Sequence, residues 1–423
     1  MTARSKVDPQ YPGSQGQWPL AKLLRVFLPF ALGYFLSYLY RTVNAVIAPD
    51  LVRDLGLDPS SLGLLTSAYF LSFAAFQLPL GILLDRFGPR RVEAILLLFA
   101  ALGAVLFGLA DSLGALLLGR ALIGLGVSAC LMAAFKAFVL WFPAERLPLA
   151  NGVQMVSGGL GALSATVPVE MALQVADWRM VFVGLGLLTL LAAAAVFFVV
   201  PEKAGAQSSE SLRHQVAGIG VIYTSRFFWR LAPLAVLSQA AYLSILSLWA
   251  GPWLRDIAGY DRDGVATTLL LTSLAMICGF FFFGRLTEKL SLRGVQPTSV
   301  MVAGMSCFLL VQGLLLTGWQ ILTIPAWLLF SFFGTTGILP YAILSQHFPV
   351  HLSGRANTAL NLQVFVMAFA AQWGIGAIIG LWPETSTGGY DPAGYRTAFG
   401  IMLVLQLLAA GWFWLAGRFA RGK

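Results

Sequence analysis

Charged side chains make up only 11% of the 423 residues, against a hydrophobic share of 58%. A soluble domain usually carries roughly 25% charged and 45–50% apolar residues, so water alone cannot solvate this chain. Cysteine is scarce, with three residues in all, and that excludes a secreted disulfide scaffold. The high apolar content excludes a disordered chain. Apolar runs of about twenty residues, instead of alternating strands, exclude an outer-membrane barrel. No Walker-type phosphate loop, His-Glu-x-x-His, Gly-x-Ser-x-Gly or metal-ligand cluster occurs in the sequence. Catalysis, a resident cofactor and ATP-driven transport therefore have no residues to run on, and no enzyme is expected.

What the chain has instead is lipid-compatible length. A spanning helix needs about 20 mostly apolar residues, and twelve segments qualify: 23–50, 60–84, 92–110, 115–141, 148–174, 179–200, 229–254, 265–287, 297–317, 321–346, 356–382 and 395–417. The polar residues before them lack the layout of a signal peptide and read as a retained tail. With both termini in the cytoplasm, 19 of the 27 Lys and Arg fall in inner loops and tails, five in outer loops and three inside spans. That bias follows the positive-inside rule and places the protein in a cytoplasmic (inner) membrane. It also accounts for the net charge of +9 by anionic lipid, with no nucleic acid as partner. Cys130, Cys278 and Cys307 lie within spans as small hydrophobes.

Residues 201–226 form a long polar stretch that divides the spans six and six: an N-terminal bundle with its tail (1–200), a cytoplasmic linker (201–226) and a C-terminal bundle (227–423). Repeats cross this seam. Gly81, Asp85, Arg86, Gly88, Arg90 and Arg91 follow span 2; Gly284, Glu288, Lys289, Arg293 and Gly294 follow span 8, with the acid–base pair kept at an offset of 203. Phe142-Pro143 after span 4 returns as Phe348-Pro349 after span 10. Two parallel copies of a six-helix unit are a known plan for secondary transporters, with the substrate site between the halves. On these residues the chain resembles the major facilitator superfamily over essentially its whole length. The Gly81–Arg91 run matches that family's loop 2–3 signature, and Arg120-x-x-x-Gly124-x-Gly126 is similar to its second. The resemblance implies an all-α membrane fold of twelve helices in two pseudo-symmetric six-helix bundles. The antiporter signature of span 5 is not met by Ser157-Gly-Gly-Leu-Gly161.

Ionisable groups in the bilayer core cost several kcal/mol and mark function by default. Three cations lie deep, Arg41 in span 1 and Arg120 and Lys136 in span 4, while deep acids are nearly absent. An interior positive without a carboxylate partner suits a visiting anion. Arg41 shares a helix face with Tyr34, Ser37, Tyr38 and Asn44, and its planar fork suits a carboxylate or phosphate; Lys136 adds a mobile point charge. Arg120, further out, reads as a structural or coupling residue, and Glu170 as the one carboxylate available for proton coupling. Gln154 and Ser157 in span 5, Gln239 and Tyr242 in span 7 and Asn361 in span 11 complete the expected cavity wall. At the cytoplasmic surface Gly81, Asp85, Arg86, Gly88 and Arg90, with Glu288 and Lys289 opposite, read as a latch that breaks when the halves rock.

The deep Tyr40-Arg41 pair and Lys136 before Trp141 are similar to the organic-anion carriers of the superfamily, the anion:cation symporters for sugar acids. That resemblance implies a small carboxylate or phosphate ester held by the span-1 arginine. Where several sugar-acid symporters carry an aspartate before the arginine, this chain has Tyr40. The expectation is a monomeric secondary transporter of a small organic anion, with proton co-transport and exchange both open. The rival readings are a multidrug or metabolite exporter, a transporter-like sensor that binds without turnover, and a structural or assembly membrane protein.

Overall fold

The computed structural model describes residues 23–142, 147–202, 220–385 and 389–421. The expected N-terminal tail and most of the linker lie outside these residues. Twelve helices are long and apolar enough to cross a membrane: α1 (Leu23–Thr42), α2 (Pro59–Gln77), α3 (Arg86–Leu109), α4 (Leu113–Trp141), α5 (Ala150–Leu173), α6 (Trp178–Val199), α7 (Arg226–Asp256), α8 (Arg262–Ser291), α9 (Pro297–Thr317), α10 (Gln320–His347), α11 (Arg355–Ile379) and α12 (Pro392–Gly417). No strand occurs among the described residues. The protein is a multi-pass membrane protein of two six-helix bundles.

Helix starts follow from local chemistry. Asp58, Ser112, Asp177, Ser225 and Asp261 each accept a hydrogen bond from a backbone N–H three residues on, which satisfies donors that a helix leaves open. Pro59, Pro297 and Pro392 open their helices, where a missing N–H costs nothing. Large apolar side chains of α3, α6 and α12, among them Leu102, Leu109, Phe198, Leu408 and Trp412, stay exposed and face lipid.

The expected loop between spans 2 and 3 is largely helical. A single helix runs Pro59–Leu109 and is broken only at Gly88 (φ 78°, ψ 160°). The α8–α9 turn uses Gly294 in the same way (φ 84°). A left-handed backbone at both repeat-related turns favours glycine. It also re-registers the repeat here, since Gly88 matches Gly294 and not the residue that the acid–base pairing aligns with it.

Besides α5, which breaks at Ala165–Thr166, four helices are interrupted at depth. α1 breaks at Val43 and resumes as Asn44–Leu55, and α4 breaks at Ser128–Ala129. α7 passes through a wide turn at Ile245–Trp249 and α10 through a tight one at Thr335–Ile338, just before Pro340. These are the first helices of the four three-helix units, and irregular backbone at membrane depth is tolerated where it is buried in protein or lines a cavity.

Close packing fixes α5 against α1. A methyl group on Gly161 would run into the Phe35 carbonyl, and one on Gly158 into the rings of Tyr34 and Tyr38. These glycines therefore set helix approach and do not line a ligand site. Gly161→Ala is expected to destabilise the detergent-solubilised protein by about 1–3 kcal/mol. A lowered melting temperature with no change in anion specificity checks this.

Candidate functional site

The face bearing the α1–α2 and α7–α8 turns is the one the Lys/Arg bias assigns to the outside; it is called the outer face. Between the bundles lies a small cavity. Its wall takes Tyr38, Arg41, Thr42 and Ala45 from α1 and its continuation, Ala162 and Thr166 from α5, Tyr242, Leu243, Leu246 and Ser247 from α7, and Leu269, Thr272, Ser273 and Met276 from α8. Both halves contribute, so no ligand there can be held by one bundle alone.

Arg41 is the cation of this wall. Its guanidinium carbon lies 4.5 Å from the Tyr38 ring centre, 5.3 Å from Phe365, 5.7 Å from Phe73 and 5.9 Å from Tyr69. Phe365 comes from α11 and stacks on Phe73 of α2 at 4.3 Å, which closes an aromatic cage across the bundle interface. Aromatic faces attract a cation by about 0.5–2 kcal/mol each without using up its N–H groups. Arg41 Nε has no hydrogen-bond partner, and no carboxylate pairs with the residue among the described residues. A buried, donor-rich and uncompensated cation is what an anion-binding site requires.

The other expected site residues separate into three groups. Tyr38 and Tyr242 join Arg41 on the cavity wall, and the buried Tyr242 hydroxyl has no hydrogen-bond partner. Four polar residues serve packing instead. Gln154 Nε2 donates to the Phe30 carbonyl at 3.1 Å and ties α5 to α1, while the Ser157 hydroxyl donates to its own helix at the Gln154 carbonyl, 2.7 Å away. Gln239 Nε2 donates to the Gly337 carbonyl at 2.9 Å. Its Oε1 lies 3.2 Å from the Tyr341 hydroxyl, which is 2.9 Å from Asn361 Oδ1. Asn361 Nδ2 in turn reaches Gln77 Oε1 of the other half at 3.5 Å. Asn44 is fully buried with neither amide atom partnered, yet it is not on the cavity wall. Polar faces in a membrane helix often serve as interhelical glue, and here that use claims most of the expected wall.

Lys136, half-buried on α4, lies outside the cavity lining. Arg120 is buried and sits 5.7 Å from both the Tyr69 and Phe107 ring centres, and its Nη1 donates to the Tyr40 carbonyl at 3.1 Å. It thus props the α1 backbone beside Arg41, next to the break at Val43. Arg120→Met is expected to lower the melting temperature with and without ligand alike, by about 1–3 kcal/mol, because a buried carbonyl loses its donor.

At the outer face an ion cluster joins the halves. Arg262, the first residue of α8, donates from Nη1 and Nη2 to Asp50 Oδ1 and Oδ2 at 2.9 and 2.8 Å, and from Nε to Glu170 Oε1 at 2.9 Å. Asp50 lies beyond the α1 break and Glu170 on α5, both buried. The cytoplasmic-side expectation did not include this cluster on the opposite face, and Glu170 is an ion-pair partner of Arg262. Nearby, the Trp178 indole N–H at 2.9 Å and Arg53 hold the Asp54 carboxyl below the usual carboxylate range.

The expected latch residues make contacts within one bundle. Arg90 Nε donates to the Phe197 carbonyl at 2.8 Å, and Arg90 and Arg91 both pair with Glu202, fastening α3 to the end of α6. Arg86 is exposed against Phe87. Gly81 is open on its Cβ side, and the Asp85 side chain lies outside the described set. Glu288 and Lys289 are exposed and form no ion pair among the described residues.

One acid escaped the sequence reading. Glu93 on α3 has no exposed surface, so deep acids are not absent from this interior. It sits two residues beyond the basic pair Arg90-Arg91 at the expected edge of span 3, where an acid looks like loop chemistry.

Twelve helices in two bundles, with a cation-bearing cavity between them and an ion cluster across one face, define a polytopic membrane protein. Residues 30–372 match the Major Facilitator Superfamily, and the chain belongs to that family. It is 29% identical over 273 residues to the probable sulfoacetate transporter of Cupriavidus necator, covering 61% of this chain and 63% of that one. It is 28% identical over 271 residues to the hexuronate transporter of Escherichia coli K12, covering 59% and 62%. The aligned regions thus span less than two thirds of these relatives. Among solved structures, a bacterial homolog of the human lysosomal transporter Spinster, inward-facing and unoccupied, superposes with a TM-score of 0.73 at 18% identity over 95% of this chain and 98% of that one.

Proposed function

We propose that the protein is a secondary transporter that carries a small organic anion through the cavity between its bundles by alternating access. The observation that carries this reading is Arg41: a buried guanidinium on a wall shared by both halves, cradled by four rings and unpaired with any acid among the described residues. The named substrates of the two relatives, sulfoacetate and hexuronate, are anions. In this reading Arg41 takes the anionic group, the Tyr38 and Tyr242 hydroxyls lie beside it, and Lys136 is not a direct ligand. A site with one cation fits the exporter of lipophilic cations poorly.

The bundles 1–200 and 227–423 rock about the cavity, with 201–226 joining them at the cytoplasmic side. Asp50, Glu170 and Arg262 close the outer face. The Gly81–Arg90 segment and its counterpart at Glu288 and Lys289 close the inner one in the opposite state. Both termini lie in the cytoplasm of a cell whose inner membrane holds the protein as a monomer.

A thermal-shift panel of glucuronate, galacturonate, sulfoacetate and phosphate esters on purified protein tests the reading. At least one organic anion is expected to stabilise wild type and Lys136→Ala but not Arg41→Ala. Stabilisation of wild type only by lipophilic cations would move the protein to the exporter class. Anion binding without flux in proteoliposomes would make it a sensor.

A further inference from the structure

Among the described residues Glu93 is a fully buried acid that neither the cavity wall nor the outer ion cluster uses. Its side chain is 0% exposed and neither carboxyl oxygen has a hydrogen-bond partner. The carboxyl fills the space left by the missing side chain of Gly33 on α1: a Cβ there would collide with Glu93 Oε1 and lie 3.6 Å from the Cys130 sulfur of α4. The ionisable groups on the surrounding elements are few. α4 presents the Cys130 thiol and carries Arg120, committed to the Tyr40 carbonyl, and Lys136 further along. α1 presents Tyr34 and, two turns on, Arg41; Arg25 lies at its other end. α6 has Arg179, paired with Asp111 at the outer end. On α3 itself Arg90 and Arg91 turn to Glu202. No cation pairs with Glu93 among these groups. An ionised carboxylate in such surroundings costs several kcal/mol, whereas the neutral acid is tolerated.

We propose, building on the transport reading, that Glu93 is the proton-carrying group of the transport cycle. It holds a proton while α1 and α4 are packed against it and releases that proton when they part. In the release step the carboxyl O–H bond breaks, the electron pair stays on the carboxylate oxygen and the proton passes to a water molecule that enters the opened niche. The link to the anion is α1. Gly33 and Arg41 belong to one uninterrupted helix, Leu28–Thr42, and their eight-residue separation is about 12 Å along its axis. Any shift of that helix driven at Arg41 by the anion also moves Gly33 against Glu93. Two ligands that bias one bistable element are coupled reciprocally, so proton binding at Glu93 and anion binding at Arg41 each alter the other's affinity.

The test pairs wild type with Glu93→Gln, which keeps the shape and stays neutral, and Gly33 is left intact. Reconstituted in proteoliposomes, wild type is expected to accumulate glucuronate, galacturonate or sulfoacetate when the outside is made acidic. Glu93→Gln should lose that accumulation by about tenfold or more, within the ordinary range of site coupling, while one-for-one exchange of the same anion persists. Independently of any substrate, the infrared spectrum of wild type at neutral pH should contain the carbonyl stretch of a protonated carboxylic acid that Glu93→Gln lacks. Equal accumulation by the two proteins, or no such difference band, overturns the proposal. If neither protein exchanges any of the three anions, the transport reading fails and the coupling role with it. The infrared band then still decides whether Glu93 binds a proton.

Discussion

Arg41→Ala is expected to abolish anion-induced stabilisation while leaving the unliganded protein at least as stable as wild type. The two effects have different origins. Without ligand the guanidinium is a buried cation with no paired acid among the described residues, so its removal deletes a desolvation cost and forfeits cation–π contacts of similar size. In the occupied protein the same group supplies charge-assisted hydrogen bonds in a site closed to water. Truncating one partner of such a pair costs about 2–5 kcal/mol, which is roughly a 30-fold to several-thousand-fold loss of affinity. Arg41→Lys is expected to recover only part of it, because an ammonium lacks the planar fork and stacks less well on Tyr38 and Phe365. Melting curves with and without anion separate the two effects. A variant that is simply misfolded would lose the unliganded transition as well.

Arg262→Ala should move the resting conformation. In wild type the guanidinium spans Asp50 and Glu170 across the bundle interface. Half of its surface or so is wet, since the side chain is 41% exposed, and solvent therefore weakens each pair below a fully buried one. The carboxylates are the stiffer part of the cost. Both are buried; without Arg262, Asp50 keeps its pair with Arg53 at 3.0 Å, but Glu170 loses its cation and faces a second carboxylate. Opening the outer face is the simplest relief, because water then solvates them. The expected shift toward the outward-open state is about 1–3 kcal/mol, a five- to 150-fold change in the population ratio. Spin labels at Asp111 and Gln320, both exposed and on opposite bundles, report it as a new, longer distance population in Arg262→Ala. An unchanged distribution would mean that the ion cluster does not gate. Asp50→Asn combined with Glu170→Gln is expected to open the face less, since the repulsion is gone too.

The twelve spans were legible because lipid leaves no alternative: about twenty apolar residues and satisfied backbone bonds are required of every crossing. Arg41 was legible for the same reason, as a charge at a depth where charges are expensive. The gate was not. Asp50 and Arg262 are 212 residues apart, and each sits at or beyond the edge of its apolar span in the sequence, where charge is ordinary. Only the packing of α1 and α5 against α8 makes them partners. Gln154, Ser157 and Gln239 share helix faces suited to a cavity wall, yet their hydrogen bonds go to Phe30, Gln154 and Gly337 backbone carbonyls. Periodicity identifies a polar face without saying whether it meets water or another helix. Lys136 shows the same gap between depth and direction. Glu93 was hidden by context, since the adjacent arginines carry the eye to a loop while the helix continues unbroken through them from Pro89.

The most direct measurement of the central claim is exchange of radiolabelled glucuronate, galacturonate or sulfoacetate in proteoliposomes loaded with the same unlabelled anion. Wild type is predicted to exchange at least one of them, and Arg41→Ala to exchange none while melting normally. Equal exchange by wild type and Arg41→Ala would contradict an anion site built on that guanidinium.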